Sequence, residues 1–196
     1  MPAPLVLAVT SRAESLRRLT STTHARLDQA IMAGGIFQDR ARFARFLHVQ
    51  HRFHTDIAPL YAREDLNAAL PALATRARLA QVRADLHALG VEVPRVSGEV
   101  PAARMPLPTA LGWLYVAEGS QLGAAVILKL AAALGLSASF GATHLAPAPA
   151  GVAAHWRHFT AALDAIELDA TEEALVVAGA RAAFTRVHAY VREAFA

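Results

Sequence analysis

Nowhere along these 196 residues do apolar and polar side chains alternate with the period of two that a half-buried strand requires. Apolar residues recur instead at spacings of three and four, the signature of helices with one buried stripe. Alanine and leucine, both strong helix formers, dominate a composition that is 55% hydrophobic. That apolar content lets a chain of this length bury one real core. No repeat at a fixed period divides it. The sequence predicts one all-α domain over residues 11–196, built from about six helices, with a flexible N-terminal tail at residues 1–10.

Helix ends are written locally. Ser11 and Glu14 have the spacing of a capping box, in which each side chain satisfies a free backbone N–H of the first turn. That helix should reach about Met32 and stop at Gly34-Gly35. Its apolar face reads Leu16, Thr20, Thr23, His24, Leu27 and Ile31, so His24 is expected to point inward among small and aliphatic side chains. A second helix is expected from about Asp39 to Leu60, with Phe43, Phe46, Leu47 and Phe53 for packing and Pro59 ending or kinking it. A third should begin near Leu70, with Pro71 in its first turn, and end at Gly90. Residues 91–108 carry four prolines and read as a long, partly extended connection. A fourth helix, about 109–134, is stopped by Gly135, and residues 136–150 form a loop. Helices at about 151–165 and 170–195 complete the chain, the last opened by a second capping-box pair, Asp169 and Glu172.

Composition removes several classes of function. There is no cysteine, so disulfides and thiolate metal sites are excluded, which fits a reducing compartment. Residues 1–10 lack the charged region of a signal peptide, and the most apolar stretch, 111–135, is interrupted by Glu118, Gln121 and Lys129. The chain therefore reads as soluble and cytoplasmic, with no membrane span. Its formal charge of +3 comes from eighteen arginines and a single lysine, Lys129, set against sixteen carboxylates. The arginines are dispersed, so they leave no nucleic-acid footprint, while diffuse positive charge suits an anionic ligand or an acidic protein partner. No phosphate-binding glycine loop, dinucleotide fingerprint or nucleophile elbow occurs. No Glu-x-x-His pair exists to hold a di-iron centre.

Three groups of residues remain as candidate chemistry. His24 is either a haem or metal ligand, through its nitrogen lone pair, or a core histidine bonded to a neighbour. His48, His51 and His54 lie three apart on one helix, a spacing that brings two but not three imidazoles to one metal, and no carboxylate completes a site. His155 and His158 are weighed the same way. The third group is Gly119 and Gly123, in "GWLYVAEGSQLGAAVILK" (112–129). Glycine inside a helix costs about 0.5–1 kcal/mol relative to alanine. Four residues apart, the two share a face and leave a strip of bare backbone. That strip admits either a flat, bulky ligand or a neighbouring helix, and glycine also permits a kink.

Two motifs in order, "LRRLTSTTHARLD" (16–28) and "GWLYVAEGSQLGAAVILK", followed by "FGATHL" (140–145), resemble the haem oxygenases, and in particular the bacterial biliverdin-forming branch associated with bacteriophytochromes. The similarity runs from about Leu16 into the final helix. It implies the all-α haem oxygenase fold, with haem sandwiched between the first helix and a kinked, glycine-containing distal helix. It places His24 as the proximal ligand of the haem iron and Gly119 and Gly123 as the distal surface. It makes Arg17 a propionate partner, with Thr20, Lys129, Arg181 and Phe184 as further haem contacts. The implied reaction takes haem, O2 and electrons from an external donor to biliverdin, carbon monoxide and ferrous iron. The implied partners are a ferredoxin or flavoprotein reductase and a bacteriophytochrome that receives biliverdin. The mammalian-type distal sequence has two adjacent glycines after a serine; here the run is E-G-S-Q-L-G, which looks like the bacterial branch. Two alternatives are a non-catalytic haem-binding protein for storage or delivery, and a haem-free helical enzyme of the thiamin-degrading type. The latter needs a cysteine nucleophile that this chain lacks.

Overall fold

The computed structural model describes residues 11–95 and 101–196. The expected tail at 1–10 lies outside the described residues. The helices are α1 (Arg12–Ala33), α2 (Arg40–Ala62), α3 (Glu64–Ala69), α4 (Leu79–Ala88), α5 (Leu107–Ala131), α6 (Val152–Ala165) and α7 (Ala170–Phe195). Short 3-10 turns occupy Leu73–Arg76, Pro101–Arg104, Ala132–Leu134 and Thr143–Leu145. The all-α expectation holds: β pairing among the described residues is confined to isolated bridges around Ser137.

The expected caps form, the one at Ser11 in a single direction and the one at Asp169 as a full box. The Ser11 side chain accepts from the Glu14 N–H at 3.1 Å, and that of Asp39 from the Arg42 N–H at 2.7 Å. Asp169 and Glu172 exchange bonds in both directions, at 2.8 and 2.9 Å. At the far end of α1 the chain turns at Gly35, whose φ of +61° suits a residue without a Cβ.

Of the two outcomes expected at Pro59, ending or kinking α2, the first does not occur, and the helix expected from Leu70 to Gly90 does not form in one piece. Pro59 does not end α2, which continues to Ala62. Leu60 and Tyr61, just past the proline, are buried, and their packing carries the helix across the missing hydrogen bond. The single helix expected from Leu70 to Gly90 is instead α3, a 3-10 turn and α4. Leu70 precedes Pro71, whose ring drives it to an extended conformation (φ −122°, ψ 93°). Ala72 then takes a left-handed φ of +61°. Burial of Leu70 and Leu73 on either side holds that strained residue in place.

The most apolar helix is α5. Leu107–Leu134 is long and apolar enough to cross a membrane by length and composition alone. In the fold its N-terminal half is core: every residue from Ala110 to Glu118 is buried. That half meets α7 backbone to backbone. Gly112 lies against the main chain of Val176, Gly179 and Ala180, and Gly179 lies against Thr109. A Cβ on either glycine would overlap backbone that cannot rotate away.

Buried apolar side chains form two clusters. One gathers Leu16, Phe53, Leu114, Phe159 and Val187 from α1, α2, α5, α6 and α7. The other gathers Phe43, Phe46, Leu86, Ala124 and Leu145 around α2, α4 and the second half of α5. Where the two clusters meet, the interior opens into a cavity.

Glycines in α5 and α7 are therefore expected to differ sharply on substitution. Gly112→Ala or Gly179→Ala forces α5 from α7 and should destabilise by roughly 1–3 kcal/mol or more, as overpacking does. Gly123→Ala meets no atom within 4 Å. It should stabilise by up to about 1 kcal/mol through helix propensity. Urea denaturation of the three variants checks the ordering.

Candidate functional site

The cavity, of about 810 Å³, is walled by α1, α2, α5, α6, α7 and the Thr143–Leu145 turn. That volume lies within the range of small-molecule and cofactor sites. It brings together most of the residues the sequence singled out: Arg17, Thr20, His24, Gly119, Gly123 and Phe184 all line it.

The α1 wall differs from the inward face read from spacing. Leu16, Thr20 and Leu27 are buried, whereas His24 is exposed and faces the cavity instead of the core. Its ring is fixed by two contacts: Nδ1 is 2.9 Å from Asp28 Oδ2, one turn on, and the Phe184 ring meets it edge-on at 5.7 Å. A carboxylate on Nδ1 selects the tautomer with the proton there and leaves the lone pair on Nε2. The Thr20 hydroxyl donates to the Leu16 carbonyl at 2.7 Å, so it is spent on its own helix and offers the cavity only a small, smooth surface. Arg17 lies further toward the start of α1, exposed and on the cavity rim. Its charge reaches Tyr115 on α5, whose hydroxyl burial pushes up and Arg17 draws partly back down.

Across the cavity, Gly119 and Gly123 present the bare strip. A Cβ at Gly119 would make ordinary contact with the Trp156 ring of α6, at 3.5 Å, and one at Gly123 would touch nothing. The glycines are thus open toward the cavity and do not mediate helix packing, which in α5 falls to Gly112. Both glycines lie within the continuous helix α5. Ser120, between them, donates its hydroxyl to the Ala117 carbonyl at 2.7 Å.

Two expected contacts are not brought to the cavity. Lys129 is exposed on the last turn of α5, beyond the lining residues. Arg181 lies on the surface of α7, its guanidinium 3.4 Å from the Leu19 carbonyl.

Several polar groups escaped the sequence reading. Asp28 was legible in principle, as a carboxylate at i+4 from His24. Glu118 was not. It is buried directly before Gly119 and accepts from Tyr61 at 3.0 Å and Arg76 at 2.9 Å, with His155 Nε2 at 3.3 Å. Its partners are far away in sequence, so no local pattern announces them. Burial, and then the neighbouring carboxylate, hold the Tyr61 hydroxyl well above its usual pKa. His155 thus joins an ion-pair network, and no group of three metal-ligating side chains occurs among the described residues. His51 and His54, buried on α2, are core histidines. Burial, with the nearby His144 and Arg78 charges, lowers His54 to about 3.

The donor set suits a metal-centred, flat ligand: an oriented imidazole on one side, a strip without side chains on the other, and a cation at the rim. The chain belongs to the haem oxygenase family: residues 10–193 match the family model described as "Heme oxygenase". Heme oxygenase PigA of Pseudomonas aeruginosa is 45% identical over 185 residues, 94% of this chain and 93% of that protein. A heme oxygenase of Xanthomonas campestris pv. campestris is 36% identical over 116 residues, 58% of this chain and 66% of that one. The crystal structure of the NO- and CO-bound heme oxygenase from Neisseria meningitidis superposes with a TM-score of 0.91 at 37% identity, covering 95% of this chain and 93% of that one. The Leptospira interrogans heme oxygenase structure, at 17% identity and a TM-score of 0.73 over 93% of this chain and 99% of that one, shares the fold.

Breaking the buried pair by Arg76→Leu leaves Glu118 with one strong donor fewer. It should cost roughly 3 kcal/mol in a denaturant titration. His54 makes a distinct pH prediction. The unfolded chain binds a proton at His54 near 6.5 and the folded one only near 3, so its contribution is present above 6.5 and is lost as pH falls between those values. Going from pH 7 to pH 5 should remove roughly 2 kcal/mol of stability through this residue. His54→Gln should flatten that part of the stability profile.

Proposed function

We propose that the cavity binds haem between α1 and α5, with His24 as proximal ligand and Gly119 and Gly123 as distal surface, and that the chain degrades it to biliverdin, carbon monoxide and ferrous iron. Dioxygen and an external electron donor are the co-reactants. The observation that carries the reading is the opposition of the Asp28-oriented His24 ring to an open glycine strip across one cavity. The 45% identity to the Pseudomonas enzyme over nearly the whole chain supports the reaction.

Bound haem supplies the oxygen and electron chemistry itself. The residues of the chain hold and shape it. Asp28 keeps the His24 proton on Nδ1 and raises the basicity of the nitrogen that faces the ligand. Phe184 fixes the ring's rotation. Bare backbone at Gly119 and Gly123 sets a low ceiling on the far side. Arg17 offers the rim an always-charged cation, and the Tyr115 hydroxyl lines the same cavity. Phe46, Phe53, Val116 and Leu145 keep the inner end dry. The α1 surface carries exposed Arg17, Arg18 and Arg26, with Arg181 on α7, a face suited to an acidic ferredoxin or a flavoprotein reductase. In a cytoplasmic setting biliverdin would be available to a bacteriophytochrome.

A reductant-driven assay with chromatographic identification of the pigment tests this directly. Conversion to biliverdin is expected; a haem spectrum stable to reductant and oxygen would point to a storage or delivery protein instead. His24→Ala should abolish the imidazole-ligated spectrum. Asp28→Asn should reduce haem affinity or turnover about 10–100-fold, the usual effect of removing such a partner. Gly119→Leu and Gly123→Leu should stop turnover with helix content unchanged by circular dichroism.

A further inference from the structure

One titratable group behind the cavity wall has no part in that reading. Glu118 and His155 each stand one residue before a lining residue, Gly119 of α5 and Trp156 of α6. The two lining residues face each other: the Trp156 ring is the neighbour that a Cβ on Gly119 would meet, at 3.5 Å. The same indole lies 5.6 Å from the Tyr115 ring and 5.7 Å from that of Phe159. The polar pair is joined by Arg76. Its Nη1 lies 2.9 Å from Glu118 Oε2 and 2.7 Å from His155 Nε2, and its Nη2 donates to the His155 carbonyl at 3.2 Å. A guanidinium only donates, so His155 Nε2 is the acceptor and the imidazole is neutral, with its proton on Nδ1.

This grip falls at the less secured end of α6. At its far end that helix is bolted to α1: Asp164 accepts from the Ala13 N–H at 2.9 Å, and Arg12 donates to the Leu163 and Ile166 carbonyls. At its start, Gly151 offers no capping side chain, unlike Ser11, Asp39 and Asp169 at the starts of α1, α2 and α7. Among the described residues, the side-chain hydrogen bonds that tie this end to another element come from Arg76. A proton on His155 Nε2 would remove the acceptor and set a second cation against Arg76. Arg78, at the start of α4, adds to the repulsion, and Glu118 Oε2, 3.3 Å away, opposes it. Tyr61 of α2 is turned to the other oxygen of Glu118. The balance favours the neutral ring: burial, and then the Arg76 charge, hold His155 below its ordinary value.

We infer that His155 is a positioning residue: as a neutral acceptor it holds the Trp156 ring against the Gly119 side of the cavity, and its protonation releases that ring. The device belongs to this wall; that the ligand it seats is haem rests on the reading above.

Fluorine-19 NMR of the full chain carrying 5-fluorotryptophan reads the wall directly, without haem. The chain has two tryptophans, and Trp156→Phe assigns their resonances. Between a mildly alkaline and a mildly acidic limit, the Trp156 resonance should shift along one titration with its midpoint below the ordinary histidine value of 6.5. That of Trp113, stacked on Phe53, should stay. His155→Gln, whose carbonyl can accept from Arg76, should keep the alkaline position throughout, and His155→Leu should show a displaced position throughout. A Trp156 resonance that does not titrate in the parent, or that titrates equally in His155→Gln, overturns the inference. Ferric haem affinity then links wall to ligand. Protonation of His24 weakens binding in every variant, so the parent's loss beyond that of His155→Gln belongs to His155. Between the two pH limits that excess should be about fivefold, the scale of one hydrogen bond. An equal pH dependence in the two proteins overturns the positioning role. Failure of the parent to take ferric haem at either limit overturns the haem reading alone and leaves the fluorine titration standing.

Discussion

Everything else in the structure is arranged around the place where α5 and α7 touch through their backbones. Gly112 and Gly179 remove the side chains that would hold the two helices apart. Two helices so close can bury an unbroken run, Ala110 to Glu118, at the centre of the molecule. They also fix the height of α5 relative to the rest. The second half of the same helix then lines the cavity, where Gly119 has only the Trp156 ring nearby and Gly123 has no neighbour at all. One helix thus uses glycine in two opposite ways: to admit a backbone at one end and to keep a surface clear at the other.

The cavity survives because polar networks brace its walls where hydrophobic packing is interrupted. Glu118, adjacent to the first cavity glycine, ties α5 to α2, to the turn after α3 and to α6 through Tyr61, Arg76 and His155. Asp85 ties α4 to the Thr143–Leu145 turn. Asp56 on α2 accepts from Tyr190 at 2.6 Å and Arg186 at 3.0 Å, fastening α7. Each is a carboxylate buried among donors, which is costly to break and so tolerates only one arrangement. Together they hold an open cavity in a molecule whose packing would otherwise favour closing it.

Much of this was legible. Helical class, five of the helices and the caps at Ser11 and Asp169 follow from local spacing, and His24, Arg17, Phe184 and the two cavity glycines emerge from motif resemblance. What spacing could not show is equally specific. The split between α3 and α4 depends on Pro71 acting on the residue before it, and on two leucines whose burial is a tertiary fact. His24 sits on the apolar stripe, yet it faces open space, because periodicity reports a face and not what lies opposite. Glycine spacing left packing and ligand approach equally open; only the neighbours of each absent Cβ separate Gly112, set against the backbone of α7, from Gly123, which has open space beside it. The partners of Glu118 and Asp85 lie tens of residues away, and no local rule reaches that far.

The attachment of α1 has a mechanical consequence. At its start, Arg12 bonds Glu173 at 2.7 Å and the carbonyls of Leu163 and Ile166, while the Ala13 N–H bonds Asp164 at 2.9 Å. At its end, the Gly34 carbonyl accepts from Arg42 at 2.8 Å and Phe195 lies over the glycine. Between these anchorages the outer surface, from Arg17 to Arg26, is mostly free. A beam clamped at both ends resists sliding along its axis and yields most to bowing near midspan, which is where His24 stands.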